Sequence, residues 1–339
     1  MRTLYKIPLM NRYLTTAFFF ILFISLLLSQ ACKKKTEDAP VAGPVPVLTT
    51  TAFSNVLLST AKLSGNITSD GGTFVTKRGF CWSSSTQNPT IQNDTIVSGN
   101  GAGFYSGTIK GLKGQTTYYV RAFAINSNGT GYGSILNMAT LDSTITDIEN
   151  NHYRIIQIGM QVWMAENLKT TKYRNGENIT NVTTASGWNQ AKTGAYCNYD
   201  NSGNLHTIYG SLYNFYAIAD TRNIAPAGWH VPGNTEWDLM INLIGGKTVA
   251  GGKLKETGSA HWQSPNMGAT NETGFTALPG GCRDDQGVFT AINEGGAWWM
   301  STTSGSYLAW FCQMNKDDAT FFSIAWLEGF GFSVRCVRD

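Results

Sequence analysis

Three kinds of spacing divide the apolar positions along the chain. Residues 17–28 form an apolar run, interrupted only by Ser25, behind Arg2, Lys6 and Arg12. A membrane span needs roughly 20 such residues, so the length and the basic flank fit a secretory segment instead. Further on, apolar residues alternate with a period of two. Residues 116–125 show this best: Tyr118, Val120, Ala122 and Ala124 share one face, and Tyr119, Arg121, Phe123 and Ile125 the other. Shorter strands are predicted over 61–67 and 74–82, with turn residues at 69–72 and 126–131 and a return strand after the second turn. An all-β domain over residues 47–141 follows.

The polar stretch 142–152 has no apolar periodicity and predicts a linker. Beyond it the two periods mix. Residues 154–158 and 161–164 flank Gly159 as a β-hairpin. Leu212, Phe215, Tyr216 and Ala219 place a stripe on a helix over 209–219. A second helix begins after Pro232-Gly233, has Glu236 in its first turn, repeats Trp237, Met240, Ile241 and Ile244, and stops at Gly245-Gly246. A short turn covers 252–256. In a last strand, Phe330, Phe332, Val334 and Cys336 oppose Ser333, Arg335 and Val337. This pattern predicts an α+β domain over 153–339.

Composition narrows the class. A chain of 339 residues suits two domains and a leader. Only 14% of residues are charged, while 37 glycines and 12% aromatics favour short strands, tight turns and aromatic packing. The net charge of +3 comes partly from the leader and Lys33 to Lys35, which leaves no basic face for nucleic acid. Six cysteines without a C-x-x-C pair argue against a zinc ribbon, and no cofactor is expected.

Three resemblances add to this reading. The end of the leader, Leu28-Ser-Gln-Ala-Cys32, resembles a bacterial lipoprotein signal, with Ser29 where leucine is commoner. The resemblance implies a signal over 1–31, diacylation of the Cys32 thiol and a polar tether over 32–46. Two or more acyl chains would anchor the protein stably. Glu37-Asp38 faintly resembles acidic tags on exported lipoproteins, so an outer-membrane location is expected with the membrane face left open. Residues 112–122 resemble a fibronectin type III segment, with Gly114 where a proline is usual; this implies that the Tyr118 hydroxyl ties down a corner of a sandwich.

The third resemblance rests on seven blocks in order, among them residues 158–168, Gly228-Trp-His-Val-Pro232, Asn271-Glu-Thr-Gly-Phe275 and Gly331-Phe-Ser-Val-Arg-Cys336. They look like the Fibrobacter succinogenes major paralogous domain from about residue 153 onward. This implies a C-type lectin-like fold with paired N- and C-terminal strands, and no defined activity. Cys282 and Cys312 depart from the family pattern. In an oxidising compartment they could bridge, with Cys197 and Cys336 as a second pair, although four cysteines allow three connectivities.

No enzyme is expected. The related oxidase-type fold keeps its reactive cysteines close in sequence, whereas Cys282 and Cys312 stand far apart. Histidines 152, 206, 230 and 261 are scattered, and Asp284, Asp285, Glu294, Asp317 and Asp318 read as solvated turn residues rather than a glycosidase pair. Trp298, Trp299, Trp310 and Trp326 compare with sugar-stacking platforms, although most should fill the core. Trp298 and Trp299 are adjacent on a strand and must point opposite ways, so one of them, with Arg283 and Asp284, is the expected groove lining. The expected partners are the membrane, through the lipid anchor, and an extracellular glycan or surface protein. The competing readings are a structural surface protein with no pocket and, behind it, an enzyme. Replacing Cys32 with Ser is expected to move the protein out of the membrane fraction on cell fractionation; a variant that stays with the membrane would overturn the anchor.

Overall fold

A computed structural model of the chain describes residues 43–339. The secretory run, Cys32 and most of the tether lie outside the described residues. The first domain is a β-sandwich. One sheet is built from β1 (Val47–Ser54), β2 (Thr60–Ser69) and β5 (Gly103–Lys110). The other contains β3 (Lys77–Ser83), β4 (Asp94–Val97), β6 (Thr117–Asn126) and β7 (Gly129–Tyr132) in the order β4-β3-β6-β7, with β8 (Leu136–Ala139) also pairing β6.

The alternation on β6 works as expected: Tyr118, Val120, Ala122 and Ala124 all enter the inter-sheet core. On the outer face Arg121 stacks over the Tyr132 ring at 4.0 Å. The Tyr118 hydroxyl accepts the Lys113 N–H at 3.0 Å and ties down the corner before β6, a fibronectin III-like feature. Cys81 is a buried thiol beside the Pro89 carbonyl, 3.4 Å away.

The stretch read as a linker is structured. Within it β9 (Thr144–Thr146) pairs with β10 (His152–Ile158) and extends the second domain's sheet. Asp147 organises the turn between them by accepting the Glu149 and Asn151 N–H groups and the Tyr153 hydroxyl, the last at 2.6 Å. Leu57, Leu58, Leu141 and Ile145 pack against the second domain's core. Gln157 Oε1 accepts from Ser59 N and Oγ at 3.1 and 3.0 Å, and its amide donates to Thr60 Oγ1 at 3.0 Å. Residues 45–339 accordingly form one compact unit. Polar composition hid this edge strand because Ile145 is its one apolar side chain, between two exposed threonines, while its backbone does the pairing.

The second domain is largely β, with short helices; the expected α+β balance is corrected towards strand. One sheet runs β15-β21-β11-β10-β9, where β11 is Gln161–Met164, β15 is Trp229–His230 and β21 is Val337–Arg338. Gly159, at φ 63°, turns the predicted hairpin between β10 and β11. Trp163 opposite Val337 joins the domain's first strands to its last. A small sheet holds β12 (Thr180–Asn181), β13 (Ala195–Cys197) and β14 (Leu212–Tyr213). The largest runs β17-β16-β18-β19-β20, with β16 Gly280–Arg283, β17 Phe289–Ile292, β18 Gly295–Thr303, β19 Leu308–Asn315 and β20 Phe322–Leu327.

The helix after Pro232-Gly233 forms over Asn234–Leu243, with Glu236 Oε2 accepting the Gly233 N–H at 2.9 Å and Trp237, Met240 and Ile241 buried. The helix expected over 209–219 does not form. A helix Gly203–Tyr209 ends at Gly210, Leu212–Tyr213 is strand, and Asn214 caps a single turn Phe215–Ile218. The expected stripe is not formed either, since Leu212 and Phe215 enter different clusters and Ala219 is exposed; the Asn214 side chain competes for the backbone, accepting the N–H groups of Ala195 and Ala217. The turn expected at 252–256 lies at the end of a helix, Lys247–Leu254. The last strand is extended, but only Val337–Arg338 pair as a strand, while Gly331, Phe332 and Ser333 make isolated bridges. Its alternation holds: Phe332, Val334 and Cys336 enter one core cluster and Val337 another.

Loops of this length need partners for their carbonyls. Buried cations supply them. Arg335, 1% exposed, donates Nε to Asn167 Oδ1 at 2.9 Å and its terminal nitrogens to the carbonyls of Phe275 and Thr276. Lys255, fully buried, donates to the carbonyls of Met267, Asn315 and Asp318 at 2.8–2.9 Å. Burial pushes Arg335 down to about 9 and Lys255 down to about 8, so both are still charged at neutral pH. Arg335→Met would leave two loop carbonyls unsatisfied in the core and is expected to cost about 3 kcal/mol. The midpoint of a thermal melt followed by circular dichroism should fall by roughly 5 °C; an unchanged midpoint would rule out this clamp.

Candidate functional site

Strand β18 is covered on both faces. Trp298 enters one core cluster and Trp299 the other, and neither is exposed. Each indole N–H is satisfied inside, Trp298 by Asn167 Oδ1 at 2.8 Å and Trp299 by the Tyr213 carbonyl at 2.7 Å. The expectation that one of them lines a groove is corrected. They do point opposite ways, but the strand has protein on either side.

The groove lies further across the same sheet. The face of β18 and β19 that carries Trp299 and Phe311 is roofed by Phe332 and then left open, giving a cavity of about 580 Å³. Register places it: Phe311 opposes Ile324 and Ala309 opposes Trp326, so β20 adds Ile324 and Trp326 to that face. Phe311 and Phe332 stack at 4.4 Å, and Trp326 meets Phe330 edge-on at 6.1 Å with an interplanar angle of 88°. Trp326 is 44% exposed, its ring braced by the apolar wall but open to solvent. Gly296 forms part of the floor, where a Cβ would lie 2.6 Å from the Leu278 carbonyl.

Polar groups crown this apolar trough. Gln313, Asn315, Glu294 and Lys316 all line it, with Lys316 Nζ 3.5 Å from the Glu294 carboxylate. Cys282 lines the opposite wall, its sulfur 3.2 Å from Thr290 Oγ1. Burial pushes the Cys282 thiol up against the pull of that hydrogen bond, which keeps it protonated at neutral pH. The arrangement can hold a ligand with a flat apolar face and a polar perimeter.

The other expected lining residues serve the fold. Arg283 is 1% exposed and clamps loops, donating to the carbonyls of Val182, Thr183 and Gly287 at 2.6, 3.1 and 3.1 Å. Asp284 Oδ1 closes a turn by accepting the N–H groups of Gln286 and Val288 at 3.0 and 2.8 Å. The proposed disulfides are likewise corrected: the five described cysteines are free. Cys312 sits with Trp298 on the face of β19 away from the groove, and Cys197 and Cys336 lie in separate clusters. Trp310 packs on the same cluster as Cys312.

The histidines are dispersed, His261 against Glu256 at 2.9 Å and His230 against Asp339 at 2.7 Å. Among the described residues no group of His, Cys, Asp and Glu has the geometry of a metal site. The sequence signal for the groove was the alternation of Ile324 and Trp326 on β20, the strand that pairs with β19 on the side away from β18.

The profile of the Fibrobacter succinogenes major domain matches residues 156–338. No curated protein matches the chain. Among solved structures, the sensor domain of the anti-sigma factor RsgI4 from Pseudobacteroides cellulosolvens is 19% identical, covering 29% of this chain and 97% of its own, with a TM-score of 0.23. The FN3 domain of human collagen XX is 25% identical over 30% of this chain and 98% of its own, TM-score 0.23. The third fibronectin III domain of human KIAA0343 protein is 17% identical over 33% and 94%, TM-score 0.23.

Buried and exposed tryptophans should separate on mutation. Trp298→Ala is expected to cost about 4 kcal/mol through cavity formation. Trp326→Ala should cost about 1 kcal/mol or less. Denaturant melts of the two variants check this, and equal losses would show that Trp326 is a core residue.

Proposed function

Because the chain belongs to the Fibrobacter succinogenes major domain family, we propose that it is a binding protein of the cell envelope, and that the groove beside Trp326 recognises carbohydrate outside the cytoplasm. Lipid on Cys32 holds the chain to the membrane, and the fibronectin III-like sandwich is the stand. The second domain is the reader, with a C-type lectin-like body. The pairing of β11 with β21, which brings that domain's ends together, supports this last point.

One observation carries the reading: a half-exposed indole braced at an apolar trough whose lining further along carries carboxamide and charged groups. A pyranose has one face of C–H groups and a rim of hydroxyls. The indole stacks on the face, while Gln313, Asn315 and Glu294 further along the trough offer partners for the hydroxyls of the bound sugar. A structural surface protein needs no such opening, and its exposed aromatic would be a liability for association.

The test is a glycan array probed with the detergent-solubilised full chain, followed by titration of tryptophan fluorescence with the sugars it selects. Wild type is expected to bind and to return the sugar unhydrolysed. Trp326→Ala should weaken binding about tenfold, or ~1.4 kcal/mol, with the cooperative unfolding transition retained. A silent array with no change in fluorescence would end the carbohydrate reading.

A further inference from the structure

A second depression adjoins the groove. Its volume is about 400 Å³, and Ser259, His261, Gln263, Asn293 and Glu294 line it. Glu294 lines the groove as well, so the two meet at the β17–β18 turn. Each is on the scale of sites for drug-sized ligands, roughly 300–1,000 Å³. Together they offer more room than one sugar ring fills. Their characters differ: the groove is aromatic, whereas the second depression presents an imidazole, two carboxamides and a hydroxyl.

The turn between them is held in a costly conformation. Ala291, near the end of β17, and Asn293, in the turn, adopt φ values of 64° and 63°, a left-handed region that asparagine tolerates and alanine seldom enters. Such strain persists only where the surroundings impose it. Here they do. Gln263 N donates to the Asn293 carbonyl at 2.8 Å, Asn293 N to the Pro279 carbonyl at 2.9 Å, and Lys316 N to the Glu294 carbonyl at 2.8 Å. The Tyr209 hydroxyl donates to Asn293 Oδ1 at 2.9 Å. Contact with Glu256 fixes the His261 ring at 2.9 Å. The Glu294 side chain is left 53% exposed on a rigid crest. Preorganisation of this kind cuts the entropy a ligand would otherwise lose in ordering the site.

We infer that the site takes an extended, linear β-linked oligosaccharide that stacks one ring on Trp326, crosses the turn at Glu294 and places further rings against Gln263 and His261. This rests on the carbohydrate reading and adds the ligand's length and path. A β-1,4-linked chain of equatorially substituted pyranoses suits both ends. It shows a flat C–H face to the indole and projects hydroxyls sideways to the polar groups beyond.

The test is a length series. Gluco- and N-acetylgluco-oligosaccharides of one to six β-1,4-linked units would be titrated into the full chain in detergent, with tryptophan fluorescence as the readout. Wild-type affinity is expected to rise at least tenfold between two and five units and then level off. In Gln263→Ala, and in His261→Asn as a second variant, the ratio of five-unit to two-unit affinity should fall towards one, whereas Trp326→Ala should weaken every length. Affinity that does not depend on length, or a rise that survives both variants, would overturn the extended path and leave the carbohydrate reading standing. Absence of binding at every length would overturn both.

Discussion

A buried guanidinium answered only by neutral oxygens is the contact on which the second domain turns. Arg335 lies in the terminal segment, and its donors reach Asn167 near the domain's beginning and the carbonyls of Phe275 and Thr276 in its middle. Asn167 in turn receives the Trp298 indole and donates to the Tyr209 carbonyl and Ser333 Oγ. One charged side chain and one carboxamide thus join five separated stretches of chain. No carboxylate is needed, because the loops supply the acceptors that strands and helices would have used among themselves. Lys255 and Arg283 repeat this solution around other loops. A domain with short helices and two-residue strands keeps one shape because its cations face inward.

That rigidity has a consequence for recognition. With β18 packed on both faces, the sheet can leave its far edge uncovered without losing its core. The aromatic ladder from Trp299 through Phe332 and Phe311 continues without a break into Phe330 and the exposed Trp326. The groove is an unfinished part of the core, and its walls are fixed by the same packing that stabilises the fold. Binding surfaces built on strands in this way need little ordering when a ligand arrives.

The two domains act as one body. Gln157 is the joint, its amide bonded to the β2 entry through Ser59 and Thr60, with the leucines at 57, 58 and 141 sealing the interface.

Local signals were legible in the sequence wherever local geometry decides. The alternation on β6, the hairpin at Gly159 and the helix after Pro232-Gly233 follow from spacing and turn chemistry within a few residues, and the Tyr118 corner from the fibronectin type III resemblance. The seven ordered blocks fixed the family for the same reason, since they are features of linear order. Three-dimensional neighbours decided the rest. A strand's period says that Trp298 and Trp299 oppose each other, but only the fold shows that both sides are covered. Nothing in the order of residues says that Arg283 finds loop carbonyls a hundred positions away, or that Trp326 stands open while Trp298 and Trp299 are sealed. Exposure belongs to a surface, and a surface exists only once distant segments have met.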